Sequence, residues 1–200
     1  AISAGDAAPA NPFYMGLDGG SESVGFLESD ADAGPFLTAL GYRPDKRYFL
    51  YRRDITQRND PFDPRLLTIR RKMQLMINDA PTLPTWWWCT RQGRFDTLHF
   101  SLVPTSGAAV APVSISCWGM DFHSTTRRQR TVGLLDLHVD VNERGKGYGK
   151  ALVLEVIRRL REELVSHLEI AVRADTESAR KLLASLGFAP ADTGVVYRSP

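Results

Sequence analysis

Leu134-Leu135-Asp136-Leu137-His138-Val139-Asp140-Val141-Asn142-Glu143-Arg144-Gly145-Lys146-Gly147-Tyr148-Gly149-Lys150-Ala151-Leu152 reads as an apolar strand, a basic turn with glycines at alternate positions, and the start of an amphipathic helix. The glycines let the backbone turn tightly and expose its N–H groups, and Arg144, Lys146 and Lys150 cluster around a helix opening whose first amides have no internal acceptor. Main chain and charge together make such a place a site for a pyrophosphate.

Outward from that stretch, Val132 to Val141 is nearly continuous apolar sequence, as in a strand covered on both faces. The helix after it carries Leu152, Val153, Val156, Leu160 and Leu164 at helical spacing. Leu168 to Val172 follows as a strand, Thr176 to Leu186 as a short helix stopped by Gly187, and Val195 to Arg198 as a last strand. On the N-terminal side, strands are expected at Trp86 to Thr90, Phe95 to Val103 and Val110 to Phe122, with a helix at Pro64 to Ile77 whose stripe includes Leu66, Ile69, Met73 and Ile77. Phe13 to Leu17 and Tyr48 to Arg52 read as strands. Asp30 is placed to cap a helix carrying Ala33, Phe36, Leu37 and Leu40 and ending at Gly41. The basic run Arg127, Arg128 and Arg130 reads as a solvated loop.

The chain has 200 residues, 43% of them apolar, which suffices for a substantial core. A net charge of +2 from scattered basic residues argues against a nucleic-acid binder. Cys89 and Cys117 lie in strand-like apolar contexts and read as reduced core thiols. With no bilayer-length apolar run and no leader pattern, the expected location is the cytoplasm, away from membranes.

One segment occurs twice. The register that sets Gly41 on Gly187 also sets Ala33 on Ala179, Leu37 on Leu183, Leu40 on Leu186, Tyr42 on Phe188, Pro44 on Pro190, Tyr51 on Tyr197 and Arg52 on Arg198, without a gap. The strand and glycine turn that precede the second copy have no counterpart before the first. The expected division is a flexible tether at residues 1–10, the last part of a first domain at 11–55 and a complete domain at 56–200.

Arg144-Gly145-Lys146-Gly147-Tyr148-Gly149 fits the GNAT superfamily pattern of Arg or Gln, two residues, Gly, one residue, then Gly or Ala. The run from Thr176 to Leu186-Gly187-Phe188 resembles that family's second segment. On these two motifs the chain resembles acyl-coenzyme A N-acyltransferases of the tandem type, with a truncated first copy. The resemblance implies a mixed α/β fold with a central sheet splayed between its fourth and fifth strands, and acetyl-coenzyme A as cosubstrate, with no metal. It implies that Leu137 and Val139 offer backbone groups to pantetheine and that residues Arg144 to Lys150 hold the pyrophosphate. It further implies direct attack by a primary amine of a small molecule or peptide. Asp136 and His138, one strand repeat apart, are the candidate bases.

In that family a tyrosine of the last helix commonly protonates the leaving thiolate, and the matching position here is Leu183. Tyr197, Ser185 or water would take that role, or the domain binds coenzyme A or a protein partner without turnover. A homodimer or a missing N-terminal half-domain would complete the truncated copy.

Competing motifs fit less well. A Walker loop requires four residues between its glycines and Ser or Thr after the lysine, whereas Lys150 precedes Ala151. A dinucleotide fingerprint requires glycine where Leu152 stands. Trp86, Trp87 and Trp88 read as core and sheet aromatics. His99, His123 and His167 lack metal-ligand spacing and read as structural or surface residues.

Overall fold

The computed structural model describes residues 3–4, 24–79, 96–106, 111–120 and 122–200. The strands expected at Phe13 to Leu17 and Trp86 to Thr90 lie outside them. In chain order the elements are β1 (Ser3–Ala4), β2 (Phe26–Leu27), α1 (Ala33–Ala39), β3 (Arg43–Asp54), α2 (Pro64–Lys72), β4 (Met73–Asn78), β5 (Thr97–Pro104), β6 (Val113–Gly119) and α3 (Phe122–Arg127). After these come β7 (Thr131–Val139), a 3-10 turn (Val141–Glu143), α4 (Tyr148–Glu162), β8 (His167–Arg173), α5 (Glu177–Ser185) and β9 (Ala189–Arg198). The fold is mixed α/β, as expected.

The described strands form one sheet in the order β1-β9-β3-β8-β7-β6-β5-β4, with β2 also on β9. Only β7 and β8 run parallel; the other pairs are antiparallel. α4 lies across the middle strands, burying Leu152, Val153, Val156 and Ile157 against Phe100, Ile115, Leu134 and Leu168. Burying an aliphatic side chain of this size is worth roughly 1.5–3 kcal/mol, so this face dominates the core.

The helix expected over Pro64 to Ile77 is shorter. Asp63 accepts a bond from the Arg65 amide and Pro64 opens the helix, but at Met73 the backbone turns extended (φ −126°, ψ 145°). Met73 to Asn78 then pair with β5, with Met73 and Leu75 toward the core. Pairing with a neighbouring strand overrides local helix propensity here. Part of the basic run also differs from expectation, because Arg127 closes the helix α3.

The two segments that match in sequence share local geometry. Both copies end their helix alike, the Tyr42 amide bonding the Leu37 carbonyl at 3.0 Å and the Phe188 amide the Leu183 carbonyl at 3.0 Å. Their strands pair with each other: Tyr48 pairs with Gly194, its own counterpart in the repeat, flanked by Arg47 with Val195 and Phe49 with Thr193 as reciprocal pairs. A local two-fold therefore runs through Tyr48 and Gly194. β8 pairs with β3 through Arg52–Glu169 and Tyr51–Ile170, and Ser3–Ala4 pair with the equivalent Arg198 and Tyr197 of β9. Two residues of the stretch expected to be a tether thus form a strand, which backbone bonding permits without any apolar pattern.

Candidate functional site

The parallel ladder between β7 and β8 runs from Thr131–His167 to Leu134–Ile170 and stops. The cause lies in β7. Asp136 adopts a left-handed backbone (φ 50°), and the pairing with β6 shifts register between Ser114 and Ser116. One extra residue bends the strand away from β8. The gap is a cleft of about 230 Å³ walled by Leu137 on β7, Ile170 and Val172 on β8 and Ala179 and Leu183 on α5, with Asp136, Arg173 and Thr176 as its polar lining.

Beside the cleft, the chain passes through the 3-10 turn to Gly147, which caps α4 in a left-handed conformation (φ 91°, ψ 0°) with no side-chain capping bond. The first bond into the helix is Ala151 N–H to the Gly147 carbonyl at 2.9 Å. The amides of Tyr148, Gly149 and Lys150 therefore face outward, at the positive end of a fifteen-residue helix. Gly149 is closely packed: a Cβ there would stand 3.3 Å from Val139 Cγ2 and 3.5 Å from Leu182 Cδ2. A larger residue would need Val139 to give way by a few tenths of an ångström, so glycine lets the helix start sit close to the cleft without that shift.

Each expected cation already has a protein partner. Arg144 Nε donates to the Val139 carbonyl at 3.2 Å, Lys146 pairs with Glu143 at 3.0 Å, and Lys150 turns toward Asp63 of the α2 cap at 3.7 Å. The Arg65 guanidinium and amide hold the Asp63 carboxyl down at about 2, with Lys150 adding to the effect. Gly145 has an open surrounding, and Tyr148 packs against the main core. The main chain, more than charge, is what the loop offers an anion.

The structure separates the remaining candidates. Asp136 and His138 are exposed, and the bulge interrupts the simple alternation that would put them on one face. His138 Nε2 lies 3.2 Å from Asp140 Oδ1. Tyr197 is away from the cleft: β3 stands between β9 and β8, and the ring packs with Leu37 beneath α1, edge-on to Phe26 at 6.2 Å. It cannot protonate a sulfur held between β7 and β8. The Ser185 hydroxyl bonds back to the Leu182 carbonyl at 2.7 Å. Leu183 is buried in the cleft wall.

Three residues that the sequence did not mark as site candidates have polar surroundings. Thr176 and Arg173 sit at the cleft through the turn between β8 and α5. His99 approaches Ser116 Oγ through Nδ1 at 3.1 Å and lies within electrostatic reach of Asp136. The available signal was its alternation with the core residues Leu98 and Phe100.

A parallel strand pair forced open beside an uncapped, glycine-started helix is the arrangement of an acyl-carrier transferase. The chain belongs to the Acetyltransferase (GNAT) family, whose profile matches residues 71–188. It is 36% identical over 88 residues to a mycothiol acetyltransferase of Nocardiopsis dassonvillei, covering 40% of this chain and 27% of that one. The chain thus spans about a quarter of that relative's length. Among solved structures it is similar to a tandem GNAT protein from the clavulanic acid biosynthesis pathway (TM-score 0.57, 16% identity, 84% of this chain and 58% of that one). It is also similar to a GCN5-related N-acetyltransferase from Kribbella flavida (TM-score 0.59, 10% identity, 87% and 66%). At those identities the likeness is one of fold. Among the described residues no helix is long and apolar enough to cross a membrane.

Proposed function

We propose that this domain transfers an acetyl group from acetyl-coenzyme A to a primary amine by direct attack. The observation that carries the reading is the uncapped start of α4 at Gly147, set against the opening between β7 and β8. The residues fit the cosubstrate: amides of Gly147 to Lys150 for the diphosphate, and the backbone of Leu137 and Val139 for the pantetheine amides. When bound, acetyl-coenzyme A supplies an activated thioester carbonyl. The chain orients it, excludes water with the apolar cleft wall, and offers amide hydrogens near Leu137 to the developing oxyanion.

Titration calorimetry with coenzyme A tests this. Gly147→Val adds a branched side chain where φ is 91°, and is expected to weaken binding about 10- to 100-fold, roughly 1.4–2.8 kcal/mol. Absence of heat with the unaltered chain overturns the reading. Leu183 favours a second one, a module that binds coenzyme A without turnover. Steady thiol release from acetyl-coenzyme A in the presence of amines separates the two.

The same reading assigns α1 and β3 to a first copy of the fold, closing as α5 and β9 close the second. Reciprocal pairing about Tyr48 and Gly194, and the stand-in of Ser3–Ala4 for β8, support it.

A further inference from the structure

The sheet face turned away from α4 carries a polar cluster that the loop chemistry leaves unused. On β5, Phe100 and Leu102 join the core under α4, so His99 and Ser101 project from the opposite face. The ladders set His99 beside Ser116, and Ser116 beside Leu135, with Asp136 bulged out immediately after. His99 is half-buried, and its Nδ1 lies 3.1 Å from the hydroxyl of the buried Ser116. This row ends where β7 leaves β8, at Asp136, which lines the cleft between them.

Building on the acetyl-transfer reading, we infer that His99 takes the proton from the acceptor amine, with Ser116 and Asp136 as positioning residues. With Nδ1–H donating to Ser116 Oγ, the Nε2 lone pair is free. The amine nitrogen forms a bond to the thioester carbonyl carbon, and its proton passes to Nε2 directly or through one water. The carbon–sulfur bond then breaks with its electron pair on sulfur, and the imidazolium returns the proton to the thiolate or to solvent. Burial lowers the basicity of His99, whereas Asp136 favours its charged form. Burial is the larger of the two, so the imidazole is held below its ordinary 6.5 and is neutral at neutral pH. From β4 the cross-strand neighbour is the uncharged Asn78. His138 on β7 is exposed and engaged with Asp140, so it lacks both the burial and the free geometry.

The test measures thiol release from acetyl-coenzyme A with glucosamine, alanine methyl ester and glycylglycine as probe amines, alongside calorimetry with coenzyme A. His99→Gln is expected to lower kcat about 10²-fold or more with KM for acetyl-coenzyme A unchanged. It should also abolish the acidic limb of the pH–rate profile, and added imidazole should restore part of the rate. Asp136→Asn, which removes the group favouring imidazolium, moves that limb to lower pH. A full rate and an unchanged limb in His99→Gln, with coenzyme A still bound, overturn the role of His99 and leave acetyl transfer standing. No coenzyme A binding by the unaltered chain overturns both. Binding without thiol release from any probe overturns both in favour of the module without turnover.

Discussion

The helix and strand α1–β3 and their counterparts α5–β9 share sequence, helix stop and strand register, yet their outer surfaces meet opposite environments. Leu37 and its match Leu183 are both buried. Leu186 is 0% exposed and Leu182 packs on the main core, whereas their matches Leu40 and Phe36 are 57% and 64% exposed. α5 has α4 and β7 beside it, and α1 has no such neighbours among the described residues. An apolar stripe states what a helix needs covered; the rest of the fold decides whether it is. The arginines tell the same story, since Arg52 reaches the fully buried Glu169 at 2.8 Å while its match Arg198 reaches Asp45 at 2.9 Å.

The sharpest way to break this comparison is to truncate matched leucines. Leu186→Ala empties a fully buried position and is expected to cost about 2–5 kcal/mol. Leu40→Ala, with more than half its surface already in solvent, should stay within about 0.5 kcal/mol in chemical denaturation. Equal costs would show that α1 is covered in solution, and the asymmetry between the copies would be lost.

A second asymmetry lies just past the repeat. Arg53 of β3 is buried and pairs with Asp60 at 2.6 Å, and Asp60 also pairs with Arg161 of α4. The match of Arg53 in the other copy is Ser199. The cluster therefore fastens β3 to α4. Asp60→Asn leaves Arg53 buried without its counter-charge, and Arg53 already has one buried nitrogen unpartnered, so the expected cost is about 3 kcal/mol. Bonding from Arg161, then from Arg53, holds the Asp60 carboxyl below its ordinary 3.8. Because the folded value is the lower one, this stabilisation is present above about pH 4 and is lost as pH falls through the folded value. In Asp60→Asn that part of the acid unfolding curve should flatten.

The parts legible in the sequence were those whose cause is local. The run from Leu134 to Leu152 carries its strand, its glycines and its helix face in one stretch, and the repeat announces both helix stops. What escaped depends on partners distant in sequence. Met73 is helical by spacing and becomes a strand because β5 pairs with it. Asp136 and His138 look like same-face neighbours until the bulge against Ser114 and Ser116 intervenes. Tyr197 reads as a residue of the last strand near the site, but the insertion of β3 between β8 and β9 carries it out of reach. His99 gains meaning only through Ser116 and Asp136, on two other strands.

That insertion also exchanges packing between the copies, which the smallest and most local prediction examines. Tyr51 of β3 belongs to the core with Leu183, Leu186 and Phe188, while Tyr197 of β9 packs with Leu37, Val195 and Tyr42. Tyr51 of β3 thus shares its cluster with Leu183 of α5, and Tyr197 of β9 shares its cluster with Leu37 of α1. Tyr197→Ala removes a ring from a cluster of few buried residues that can relax toward solvent, so its expected cost, about 2 kcal/mol, lies below the usual range for a buried aromatic. Its effect should stay local: amides of α1 should exchange faster with solvent deuterium, while those of α5 keep their protection. Faster exchange in α5 instead would mean that β9 supports its own helix, and that the two copies are folded in series, not exchanged about Tyr48 and Gly194.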